Sequence, residues 1–75
     1  MDQQTIIAEI EARAKALALP MGEVCRRAGL HPTTFSRWKL SDKNPEPIGA
    51  TIKSLSALSD VLDAAEAALV QANAA

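Results

Sequence analysis

The stretch "VCRRAGLHPTTFSRWK", Val24 to Lys39, decides how this chain is read. It sets Arg26, Arg27, His31, Arg37 and Lys39 on either side of a single glycine, Gly29. Glycine just past a helix end takes the left-handed conformation that satisfies the last carbonyls, and proline suits the first position of a new helix. Gly29 is therefore expected to stop one helix and Pro32 to start the next. In the preceding segment, Met21 to Ala28, the side chains of Met21, Val24, Cys25 and Ala28 form one apolar edge, which predicts a short helix opening after Pro20. In Pro32 to Leu40, Thr33, Ser36, Arg37 and Leu40 share a face by i, i+3, i+4, i+7 spacing, and Phe35 and Trp38 fall on the opposite face. A solvated helix face favours Glu and Lys. Thr, Ser and Arg instead let a helix approach the edges of DNA bases in the major groove.

Outward from this unit the pattern stays helical. Ile7, Ile10, Ala14 and Leu17 recur at steps of three and four through "QTIIAEIEARAKALAL", predicting a first helix from about Asp2 to Leu19, ended by Pro20. After the loop "SDKNPEP", residues Leu55, Leu58, Leu62, Ala65, Leu69 and Ala72 make a heptad-like seam, predicting a C-terminal helix over residues 48–72. Its early part, Ile52, Leu55 and Leu58, is expected to close the core. Leu62, Ala65 and Leu69 lie beyond the length such a core needs and are expected to form a dimer interface. The fold expected is all-α: a single domain over residues 1–75, a small bundle of four main helices with a helix-turn-helix at 21–40 and a long C-terminal helix.

Charge marks the same place. Residues 1–25 carry Arg13 and Lys15 against Asp2, Glu9, Glu11 and Glu23, and residues 44–75 carry Lys53 against Glu46, Asp60, Asp63 and Glu66. Between them, Arg26, Arg27, Arg37, Lys39 and Lys43 face Asp42 alone, so a net charge of -1 conceals one basic island between acidic flanks. Basic clustering is the footprint of a phosphate-binding surface.

The quoted segment resembles the helix-turn-helix of Cro and phage-repressor type (XRE-like) regulators. With Met21 as the first motif residue, the small fifth position is Cys25, the turn glycine is Gly29, and the apolar tenth, fifteenth and eighteenth positions are Leu30, Phe35 and Trp38. "GLHPTTFSRWK" is similar to the family's recognition helix, and "PIGATIKSLSAL" to the stretch that opens the following helix, so the resemblance covers roughly Pro20 to Leu62. Met21 stands where a polar residue is common, and His31 where a capping serine is usual. The resemblance implies a sequence-specific, double-stranded-DNA-binding transcriptional regulator, a phage or prophage type repressor, with Thr33, Thr34, Ser36 and Arg37 nearest the bases. Arg26, Arg27, His31, Lys39 and Lys43 are expected at the DNA backbone. A homodimer would bring two recognition helices about 34 Å apart onto an inverted-repeat operator.

Other readings are weaker. Trp38 is expected in the core, with its indole N–H at the core edge. Cys25, beside Arg26, has the setting of a redox sensor, but the close passage of two helices there asks for a small packed group. His31 is placed to cap a helix or meet a phosphate rather than to switch with pH. With no Tyr, one His and one Cys, the chain offers no nucleophile–base pair and no metal cage, so neither catalysis, nor a cofactor, nor a small-molecule ligand is expected. No apolar run approaches the ~20 residues that cross a bilayer, and the expectation is a cytoplasmic chain. The rival function is a helical protein-interaction module, adaptor or antitoxin-like, that keeps this fold without reading DNA.

Overall fold

A computed structural model describes residues 2–74, with side chains through residue 72. Four helices follow in order: α1 (Gln3–Ala16), α2 (Met21–Arg27), α3 (Pro32–Trp38) and α4 (Ile52–Ala74). The all-α bundle with a long last helix is the architecture expected from the periodicity. The backbone of α1 lies close to each of the other three helices and that of α2 to α3 and α4, whereas among the described helices that of α3 comes close to α1 and α2 alone. α4 rises about 34 Å over its length, and the molecule is correspondingly elongated, 46 × 22 × 20 Å.

The core takes one stripe from each helix: Ile7, Ile10 and Ala14; Val24 and Cys25; Phe35 and Trp38; Leu58 and Leu62. Phe35 and Trp38 lie one turn apart on α3 and meet edge to face, their ring centroids 5.9 Å apart. Full burial of a leucine stabilises by roughly 1.5 to 3 kcal/mol, so the two α4 leucines anchor that helix to the rest.

Two features of the seam on α4 differ from expectation. Ile52 is 83% exposed, and it closes no core. Leu62 is fully buried, so it belongs to the core of its own chain and not to a dimer interface. The reason is where α4 starts. Ile48 donates its N–H to the carbonyl of Arg37 (3.1 Å), which keeps 48–50 outside the helix, and the Thr51 hydroxyl then accepts from the N–H of Ser54 (3.1 Å) as an N-cap. Ile52, in the first turn, faces away from the bundle between Ala50 and Leu55, which both pack on the core, and the buried stripe runs on through Leu58 to Leu62.

The helix ends also shift. α3 stops at Trp38 rather than Leu40, because Lys39 is extended. α1 stops at Ala16, short of the expected Leu19. Its terminus is a Schellman turn: Leu19 N–H donates to Ala14 O (2.9 Å) and Ala18 N–H to Lys15 O (3.0 Å). The left-handed position of this turn falls on Ala18, at φ 57°. An alanine there is strained by about 1 kcal/mol, which tertiary packing of the flanking Leu17 and Leu19 must offset. Ala18→Gly is accordingly expected to raise stability by roughly 0.5 to 1 kcal/mol and the thermal midpoint by a few degrees. A circular dichroism melt showing no rise would mean that the turn is unstrained.

Candidate nucleic-acid interface

The Met21–Trp38 unit is built by its turn. Leu30 N–H donates to Cys25 O (2.8 Å) and Gly29 N–H to Arg26 O (3.0 Å), the paired bonds of a second Schellman turn, with Gly29 at φ 78°. Gly29 thus takes the left-handed position that its place in the sequence suggested. On the far side of the turn, His31 caps α3: its Nδ1 accepts from the N–H of Thr33 (3.2 Å) and lies 2.7 Å from the Thr33 hydroxyl. With Nδ1 accepting, the ring proton belongs on Nε2, which leaves one donor for an outside acceptor.

Phe35 and Trp38 root α3 in the core, and the opposite face is left to solvent. Thr33, Ser36 and Arg37 are exposed, as is Leu40 just beyond the helix. Thr34 is half-buried, and the Thr33 hydroxyl is engaged by His31. The residues expected nearest the bases, Thr33, Thr34, Ser36 and Arg37, are therefore brought together on one short helix, with Arg37 their only charge.

The rest of the basic island is differently placed. Glu23 divides its carboxylate between Arg26 and Arg27, one oxygen to each at 3.0 Å. Lys39 reaches Glu11 of α1 at 2.9 Å. Arg27 also lines an apolar groove with Leu17, Leu19, Ala65, Ala68 and Leu69, at the end of α1 and along α4. Among the described residues, Arg37 and Lys43 are the members of the island that make no ion pair. Such exposed pairs are weak in water, and a phosphate can replace the carboxylate.

No family model, curated protein or solved structure matches the chain.

The weight of the candidate site therefore rests on its own geometry. Cys25 is 1% exposed and burial pushes its thiol pKa up, away from the thiolate that redox sensing needs. It is a packing group where α2 crosses its neighbours. Arg13, outside the island, joins Asp63 (2.6 Å) and Glu66 across α1 and α4, and the hydrogen bonds it donates, to Glu66 first and then to Asp63, hold its pKa above the ordinary value. That cation is spent on the bundle.

Sequence reading missed the polar side chains that end α3. Asn44 donates through Nδ2 to the carbonyls of Arg37 (2.9 Å), Lys39 (2.9 Å) and Ser36 (3.4 Å). From α1, Gln3 and Gln4 both donate to Trp38 O, at 3.0 and 2.8 Å. Their side-chain oxygens accept from Ala50 N–H (2.9 Å) and Leu40 N–H (3.0 Å). The only signal available was an asparagine in a turn-rich loop, which fits many roles.

Proposed function

We propose that the chain is a sequence-specific double-stranded DNA-binding regulator of phage-repressor type, working as a homodimer and without a cofactor. The observation that carries this reading is the two-sided construction of α3. Its rings are locked into the core, and its free face offers small polar groups and one unpaired arginine at the end of a glycine-turned helix pair. A helix so rooted can enter a major groove without unfolding, and Arg37 can fork onto a guanine. Lys43 and the free N–H of His31 are the groups for phosphates, joined by Lys39 when Glu11 releases it. Arg26 and Arg27 contribute only when Glu23 releases them. The dimer face is assigned to Ala65, Ala68, Leu69 and Val70 with the groove floor of Leu17 and Leu19. Leu69 and Val70 are 49% and 66% exposed on a helix that continues past the last core residue.

Selection from random duplex DNA, followed by sequencing, tests the reading. The expected result is an inverted repeat with half-sites roughly one DNA turn, 34 Å, apart. Enrichment of a single half-site supports the reader without the dimer. If nothing is enriched at moderate salt, the DNA reading fails, and a protein partner on the apolar face of α4 takes its place.

A further inference from the structure

The recognition helix is too short to hold its own shape. α3 has seven residues, and isolated helices below about 12 to 15 residues are marginal in water. The backbone of α4, the longest element, does not come close to it, and the two helices meet only through the shared core. Its N-terminal end is fixed by Pro32 and the His31 cap. Its C-terminal end leaves carbonyls that need partners from elsewhere.

Those partners come from outside the helix. The carbonyl of Arg37 accepts from Asn44 Nδ2 and from the N–H of Ile48, and that of Lys39 accepts from Asn44. The carbonyl of Ser36 accepts from Lys39 N–H and more distantly from Asn44, and that of Trp38 from Gln3 and Gln4. Asn44 is itself held in place, since Ser41 and Asn44 exchange backbone hydrogen bonds at 3.2 and 3.0 Å. The loop after α3 thus folds back as a clip, and one amide group reaches three of the four final carbonyls. Apart from the weakly bonded Ser36, the residues so gripped are Arg37 and Lys39, the cations on either side of the buried Trp38.

We propose that Asn44 is a positioning residue for base reading: by fixing the backbone of Arg37 it sets where the guanidinium stands relative to α3. This deepens the DNA reading above and rests on it. An arginine that reads a guanine does so through two parallel hydrogen bonds, which a loosened last turn blurs. Phosphate contacts are point-charge interactions and tolerate such looseness. Loss of Asn44 therefore reduces discrimination and leaves general DNA affinity nearly intact.

The experiment compares affinity for the selected sequence with affinity for random duplex DNA, at a temperature where circular dichroism shows each variant folded. Asn44→Ala is expected to lower that ratio about five- to tenfold, with an unchanged slope of log affinity against log salt on random duplex. Asn44→Ser keeps one donor and is expected to fall between wild type and alanine, and it carries the test if the alanine variant does not fold. Leu62→Val trims the core on α4, whose backbone does not come close to that of α3, and serves as a charge-neutral destabilised control whose ratio should equal wild type. An unchanged ratio in both Asn44 variants overturns the inference, as does an equal loss in the control. A wild-type ratio of one overturns the DNA reading itself, and the inference with it.

Discussion

Leu62→Ala is expected to lower the thermal midpoint by on the order of 10 to 30 °C, the loss of about 2 to 5 kcal/mol that accompanies a leucine-to-alanine cavity in a small domain. Leu62 is fully buried, in one cluster with the buried residues of α1, α2 and α3. A chain of this length has roughly 4 to 11 kcal/mol of stability in total, so the substitution removes a large share of it. Leu69→Ala should behave differently. That side chain is half exposed along the groove, so its removal leaves the midpoint of the dilute chain almost unchanged and abolishes any rise of the midpoint with protein concentration. Melts of both variants at widely separated concentrations distinguish the two roles. If Leu62→Ala changes only the concentration dependence, Leu62 is an association residue after all and the core ends at Leu58.

That contrast shows what a repeat in the sequence can and cannot say. The three-and-four spacing of α4 fixed which residues share a face, and Leu58, Leu62 and Ala65 do share one. It did not fix how far along that face the neighbouring helices reach, because reach depends on where α4 starts. The start is set by the bond from Ile48 N–H to Arg37 O and by the Thr51 cap, neither visible as periodicity. Gly29 was legible because a left-handed residue at a helix end selects glycine. Ala18 occupies the same position in the first turn and was not, because alanine is the residue most at home inside a helix. Phe35 and Trp38 were legible as a ring pair on one side of a short helix. The contacts of Gln3, Gln4 and Asn44 were not, since a glutamine amide that bonds a carbonyl 34 or 35 residues away leaves no local trace. Similarly, the basic island was legible as charge, but the pairing of Lys39 with Glu11 arises only when α1 and the end of α3 are brought together.

Arg37→Ala is expected to weaken binding to the selected DNA sequence by roughly 5- to 150-fold, the equivalent of about 1 to 3 kcal/mol for one bidentate base contact. The loss should appear as relaxed preference at one base pair in each half-site, with random duplex bound nearly as before. Folding gives no competing explanation. The guanidinium is exposed and makes no ion pair among the described residues, and alanine is a good helix residue, so the thermal midpoint should stay close to wild type. Arg37→Lys is not expected to rescue, because an ammonium retains the charge but not the planar fork. Lys43→Ala supplies the opposite pattern: weaker binding to every sequence, and a salt slope shallower by about 0.9, the signature of one lost phosphate contact. Should Arg37→Ala show that second pattern instead, Arg37 is a backbone contact. The burden of base reading would then fall on Thr33, Thr34 and Ser36, whose short hydroxyls require α3 to sit deeper in the groove than an arginine reader does. A Thr33→Ala or Ser36→Ala variant that relaxed preference while Arg37→Ala did not would establish that closer approach.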